Sequence, residues 1–194
     1  MKIAVLANDT QWEELKSAAN IARAASIEEE ADAYILLDGF DANALHQLQK
    51  PVLLNSVSET LAGINAGHNV VRINGWAGFL KRGLWEAAGN TSAGVQSVFA
   101  ALQKEYIQVA DEPGLVAARS ISMVINEAYF ALGEKVSTKE EIDIAMKLGT
   151  NYPFGPFEWA GKIGVKNIYG LLSVLAKTDK RYLPAPILEK EASA

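Results

Sequence analysis

Cysteine is absent from this chain, and histidine occurs twice, at His46 and His68. The first absence removes disulfides, thiolate metal sites and a cysteine nucleophile together, and it fits a cytoplasmic chain. The second leaves too few imidazoles for a histidine-rich metal centre. Long apolar runs are also missing. The opening MKIAVLAND turns acidic too soon for a signal peptide, and no stretch approaches a membrane span. Positive charge is in short supply: 18 Lys and Arg stand against 23 Asp and Glu, a net charge of −5. That balance argues against a nucleic-acid binder, which carries a basic footprint. What is plentiful is apolar material, 49% of 194 residues. A packed core follows, in one large domain or two small ones.

The two halves of the chain differ in texture. KIAVLA (2–7), YILLDG (34–39), PVLLN (51–55), NVVRI (69–73) and YIQVA (106–110) are short apolar runs that read as buried strands. Between the first two, Trp12, Leu15, Ala19, Ala22 and Ala25 recur at near-helical spacing and predict one or two helices. DANALHQLQK, with Asp41 as cap, predicts a short helix, and TSAGVQSVFAALQKE another. VVRINGWAGFLKRGLWEAAG (70–89) reads as a strand, a turn and the start of a polar helix. Strands alternating with helices predict a parallel sheet of about five strands, covered on both faces. From DEPG (111–114) onward the chain reads as helix. LVAARSISMVINEAYFALGEK is long and apolar. STKEEIDIAMKLG opens with a capping-box pattern at Ser137 or Thr138 and closes at Gly149 as a C′ glycine. The expected domains are 1–111 and 112–194.

DEPGLVAAR, NEAYFAL, STKEEIDIAMKLG, YPFGPFEWAGKIG and RYLPAPILEK together resemble the C-terminal domain of the 3-hydroxyacyl-CoA dehydrogenases. The first half resembles a worn version of that family's dinucleotide-binding half. ADAYILLDGF stands where the family has an apolar strand ending in an acidic pair. KPVLLNSVSETL resembles the strand leading into Asn-Thr-Ser-Ser, and VVRINGWAGFLK the segment that begins His-Phe-Phe-Asn-Pro. The resemblance implies a fold, an α/β truncated Rossmann-like sheet followed by an all-α domain, and a homodimer through residues 112–194. It also implies a chemistry, the reversible oxidation of a 3-hydroxyacyl-CoA with hydride passed to NAD. In the family a histidine takes the hydroxyl proton, a glutamate orients it, and a serine and an asparagine hold the substrate oxygen.

Carried position by position, that site is not matched. The histidine falls on Arg72, the glutamate on Leu84, the serine on Val57 and the asparagine on Ala118. Arginine stays protonated at any useful pH and is no general base. Ser58 stands beside the serine position and Glu86 near the glutamate position. The cofactor half departs separately. A Rossmann fold needs glycines after its first strand so that backbone approaches the pyrophosphate. Here that turn is NDTQWEEL, whose Asp9, Glu13 and Glu14 repel phosphate. Glu28 to Glu30 lie near the spacing of the ribose-binding acid, but in a helical context. Between KIAVLA and YILLDG the family has two further strands, and both are expected to be lost. No NAD site is therefore predicted.

Asn55, Ser58, Arg72 and Lys81 remain as ligand-binding candidates. Arg72, Lys81 and Arg82 read either as an anion site at the sheet's C-terminal edge or as ordinary ion pairs, Arg72 with Glu86 or Asp111. His46 and His68 read as surface and loop histidines. Trp76, Trp85, Trp159 and Tyr152 read as packing residues. The expected function is a dehydrogenase-like protein of acyl-CoA and fatty-acid metabolism without NAD binding or redox catalysis, a dimeric scaffold for an acyl thioester or small anion. The alternatives are a working NAD-dependent oxidoreductase, with an atypical site or a cofactor half from another chain, and a subunit that binds a larger partner of fatty-acid metabolism.

Overall fold

Runs such as IAVL and VLLN have no polar face, so as strands they need cover on both sides. The computed structural model describes residues 1–27 and 30–194 and builds these runs into the middle of a sheet. The chain forms two units, Met1–Val116 and Ala117–Ala194; the boundary expected at residue 112 lies a few residues earlier. The first unit runs β1 (Ile3–Leu6), α1 (Asp9–Leu15), β2 (Ile21–Arg23), β3 (Ala33–Leu36), a 3-10 turn (Ala42–Gln47), β4 (Val52–Asn55), β5 (Val70–Ile73), β6 (Leu84–Gly89), α2 (Ala93–Ala101) and β7 (Glu105–Gln108). The sheet order is β2-β1-β3-β4-β5-β6-β7. Every neighbouring pair is parallel except β5 and β6. Alternate residues feed two cores. Ile3, Val5, Ile35, Leu53, Val71 and Ile73 meet Leu15 of α1 and Val95, Val98 and Phe99 of α2. Ala4, Leu6, Leu36, Val52, Leu54 and Val70 form the opposite core with Leu45.

Two strands differ from expectation. The stretch holding Ala19, Ala22 and Ala25 is not a continued helix. α1 stops at Leu15, Asn20 takes a left-handed φ of 66°, and β2 follows. The open edge of β1 outweighs the helix propensity of alanine: Ile3 N–H donates to Asn20 O and Ala24 N–H to Val5 O, both at 2.9 Å. One of the two strands expected to be lost is thus present in short form. The second difference is LWEAAG, which is β6 and not a helix start. Trp85 and Ala87 point into the core while Leu84 is exposed, a period of two. The strand is fixed between β5 and β7, so the sheet has seven strands where about five were expected. Of Glu28 to Glu30, the first two lie outside the described residues.

The second unit runs α3 (Ala117–Gly133), α4 (Lys139–Thr150), α5 (Pro156–Ile163), α6 (Val165–Ala176), a 3-10 turn (Lys180–Tyr182) and α7 (Pro186–Ala192). α3 is its central helix and packs on α5, α6 and α7, burying Ile121, Ile125, Ala128 and Tyr129. The capping box forms at Thr138 with Glu141. The helix end does not fall at Gly149: α4 continues to Thr150, and Asn151 takes the left-handed turn at φ 56° and ψ 32°. Asparagine tolerates that conformation through its short polar side chain. Asp143 of α4 reaches the start of α5 and accepts from Phe157 N–H at 2.8 Å and Glu158 N–H at 3.1 Å. It supplies the cap that Gly155, the residue preceding α5, cannot provide from a side chain. Among the described residues no helix is long and apolar enough to cross a membrane.

Candidate functional site at the sheet edge

In open parallel sheets, ligands bind beyond the C-terminal ends of the strands. In the first unit that edge is formed by the residues that follow β1, β3, β4 and β5. Arg72 of β5 is the charged residue buried there. Its side chain is 0% exposed and ion-pairs through Nη1 with Asp111. Nε donates to Ser56 O at 2.7 Å, and Nη2 donates to Val57 O at 3.1 Å and Glu112 O at 3.3 Å. Asp111 also accepts the Leu61 N–H at 2.9 Å. One guanidinium thus ties the turn after β4 to the segment after β7. The anion expected at Arg72 is met by Asp111, a group of the protein itself, and the buried side chain presents no surface to a ligand.

The other candidates do not gather around it. Asn55, the last residue of β4, donates to Leu37 O at 3.0 Å and accepts from Gly75 N–H at 3.1 Å. Its amide cross-links the ends of three strands. Ser58 is partly buried in the turn beyond. Lys81 is exposed and lines a separate cleft of about 510 Å³ with Glu13, Glu14, Ser17 and Lys104. Arg82 lies over the Phe79 ring, 4.5 Å from its centroid. The basic cluster considered from the sequence therefore does not assemble, because Arg72 and Arg82 find different partners and Lys81 lines a separate cleft. Among the family positions, Val57 is buried, Leu84 is 48% exposed, and Ala118 is buried in the second unit. Glu86 accepts the Val116 N–H at 3.3 Å. His46 and His68 are both exposed. Trp76, Trp85 and Trp159 are buried as packing residues, while Tyr152 is exposed.

The turn after β1 is closed by its own side chains. Asn8 caps α1, accepting the Gln11 N–H at 3.0 Å, and donates to Asp38 at 3.1 Å. Gln11 donates to Gly75 O at 2.9 Å, and Glu14 accepts the N–H groups of Gly78 and Leu80 at 2.6 and 3.2 Å. Arg23, at the end of β2, pairs with Asp9 at 2.7 Å. No glycine precedes Gly39. Sequence reasoning did not find the role of Gln11 and Glu14 as anchors for 75–80. The only signal was their helical spacing of three, which sets them on one side of α1. It also passed over Asn74, whose amide nitrogen is buried without a partner among the described residues.

Residues 114–194 match the family model of the 3-hydroxyacyl-CoA dehydrogenase C-terminal domain. The chain is 41% identical over 91 residues to the 3-hydroxyadipyl-CoA dehydrogenase of Escherichia coli (strain K12), a match covering 46% of this chain and 19% of that protein. It is 36% identical over 106 residues to a probable 3-hydroxybutyryl-CoA dehydrogenase of Bacillus subtilis (strain 168), covering 54% and 37%. The matched segment is thus well under half the length of these relatives. In three dimensions the chain is similar to the crystal structure of (S)-3-hydroxybutyryl-CoA dehydrogenase from Ralstonia eutropha, with a TM-score of 0.70 at 25% identity over 90% of this chain and 69% of that one. Residues 114–194 are thus a domain of the 3-hydroxyacyl-CoA dehydrogenase C-terminal type, and a Rossmann-like unit precedes it in the chain.

Proposed function

We propose that this chain works in acyl-CoA metabolism without NAD-dependent hydride transfer, as a dimeric scaffold that binds an acyl thioester. The observation that carries this reading is Arg72. Where the family places its proton acceptor, this chain has a buried arginine held by Asp111. A positioned general base contributes roughly 10²–10⁴-fold in rate, and both histidines of the chain are exposed on the outside of the first unit. The turn after β1 supports the same reading. It lacks the glycines that let backbone approach a pyrophosphate, and it carries Asp9, with Asp38 from the turn after β3 bonded to the cap residue Asn8. A cysteine-free composition supports residence in the cytoplasm.

The dimer is supported by the second unit. The apolar face of α3 is consumed inside the unit. Four of the exposed apolar residues stand on and around α4: Val136, Ile144, Tyr152 and Leu148, the last 83% exposed. A second copy covering that face would bury them. The test of the redox reading is acetoacetyl-CoA reduction with NADH. The expected result is no turnover above background. A rate on the order of 1 s⁻¹, within the ordinary range of enzymes, overturns the reading.

A further inference from the structure

The cleft that Lys81 lines lies wholly within the first unit, between α1 and the turn that joins α2 to β7. Its volume of about 510 Å³ is that of a small-molecule site, and Leu15, Ala18 and Leu102 give it an apolar lining. Four charged side chains also line it, Glu13, Glu14, Lys81 and Lys104, and their charges are answered unequally. Glu13 pairs with Lys16 at 2.5 Å. The Glu14 carboxylate accepts the N–H groups of Gly78 and Leu80. Lys104 Nζ donates to Leu80 O at 3.0 Å and Arg82 O at 2.8 Å, both neutral carbonyls. Leu80 is thus held by its N–H to Glu14 and by its C=O to Lys104, and these two opposite charges do not pair. Among the described residues neither Lys81 nor Lys104 has a carboxylate partner.

Two ammonium groups without an anionic partner in one cleft call for an anion. Burial holds the Lys104 ammonium below its ordinary 10.5, and no carboxylate offsets that loss of water. Lys104 Nζ bonds to the carbonyl of Leu80, the residue directly before Lys81, so one short stretch of chain carries both amines to the cleft. A lysine ammonium has three donors. Two of those on Lys104 go to carbonyls, and the Trp85 ring, its centroid 5.3 Å from Nζ, adds attraction but no charge. One N–H is left for a ligand. Glu13 and Glu14 limit the charge of that ligand, because a dianion such as phosphate meets twice the repulsion that a monoanion meets. The apolar lining offers nothing to an inorganic ion and suits a short hydrocarbon chain. We infer that the cleft binds a short-chain organic monocarboxylate, with its carboxylate on the Lys104 and Lys81 ammoniums and its chain against Leu15, Ala18 and Leu102. The site is distinct from the Arg72 clamp and does not rest on the reading of the chain as an acyl-thioester binder.

The indole of Trp85 reports on this site, because Trp85 Nε1 and Lys104 Nζ donate to the same Arg82 oxygen. The experiment follows the indole N–H resonance by NMR in the isotope-labelled full chain, assigned through Trp85→Phe. The probes are butyrate, butyramide, butylammonium, γ-aminobutyrate and inorganic phosphate, titrated at constant ionic strength. Butyrate is expected to give a saturable shift and to bind about tenfold or more tightly than butyramide. Lys104→Met is expected to weaken butyrate about tenfold and Lys81→Met about threefold. Lys166→Met, which removes the same charge from the second unit, is expected to leave it unchanged. If Lys104→Met does not fold by circular dichroism, Lys81→Met, at an exposed position, carries the test, and unchanged butyrate binding in it overturns the inference. Absence of a saturable butyrate shift, equal binding of butyramide, or an affinity that survives both substitutions also overturns it. Tighter binding of phosphate overturns it in favour of an inorganic anion. Tighter binding of γ-aminobutyrate or butylammonium overturns it in favour of a ligand whose amine engages Glu13 or Glu14.

Discussion

Asp111→Ala and Arg72→Met break the same ion pair but leave different groups behind. After Asp111→Ala, a guanidinium of 0% exposure loses its counter-charge and keeps only backbone carbonyls. Removing one partner of a buried pair in this way costs about 3–5 kcal/mol. After Arg72→Met, the volume is retained and the charge is gone. The Asp111 side chain is 29% exposed and still accepts the Leu61 N–H, so solvent and backbone compensate it. The loss is then that of the carbonyl partners of Ser56, Val57 and Glu112, about 1–2 kcal/mol. At about 2–4 °C per kcal/mol for a chain of this length, the expected falls in Tm are roughly 6–20 °C for Asp111→Ala and roughly 2–8 °C for Arg72→Met. Urea unfolding followed by tryptophan fluorescence in a Trp159→Phe background isolates the first unit, which holds Trp12, Trp76 and Trp85. If Arg72→Met costs as much as Asp111→Ala, or if both cost under about 0.5 kcal/mol, Arg72 is not a buried clamp and the argument from its burial fails.

Gly155→Ala presses a new Cβ against the Oδ1, Cγ and Cβ of Asp143, of which alanine at 143 would keep only Cβ, while the φ of −71° accommodates any residue. The cost is therefore steric, about 1–3 kcal/mol, and Asp143→Ala in the same chain is expected to recover part of it; additive losses in a urea double-mutant cycle would contradict this. The Glu141 carboxyl is held below its ordinary 4.5, first by the Ser137 hydroxyl and then by the Thr138 backbone N–H. Its contribution is present above the unfolded pKa and is lost as pH falls through the folded one. Glu141→Gln is thus expected to flatten the acid side of the stability profile below about pH 4.5, and an unchanged slope there would argue against it. Leu148→Glu adds charge to the exposed face of α4. It is expected to shift sedimentation of the folded chain from twice 20.9 kDa to 20.9 kDa, and a wild-type monomer or an undisturbed dimer would count against that interface.

How much of this was legible follows from which forces are local. IAVL, VLLN and VVRI are strands because their residues are buried on both faces, a property readable without a partner. The Thr138–Glu141 capping box is also local in sequence. β2 was hidden because the alanines at 19, 22 and 25 favour helix, and only the edge of β1 makes Ile21–Arg23 extended. β6 was hidden because Trp85 and Glu86 fit a helix start as well as a strand; its antiparallel register with β5 is a tertiary fact. At the site, the pairing of Arg72 with Asp111 was one of two ion pairs the sequence allowed, and folding selects it by bringing the segment after β7 beside β5. The orphan amide of Asn74 was not readable at all. It is defined by the acceptors that fail to reach it, and these are known only when every neighbour has a place.

The most direct measurement is titration of NADH into the full chain, followed by cofactor fluorescence and by heat. The glycine-free turn after β1, with Asp9 and Asp38 beside the cap of α1, leads to the expectation of no saturation below about 1 mM. Saturable binding with a Kd of about 10 μM or tighter would contradict it and return the chain to the working dehydrogenases.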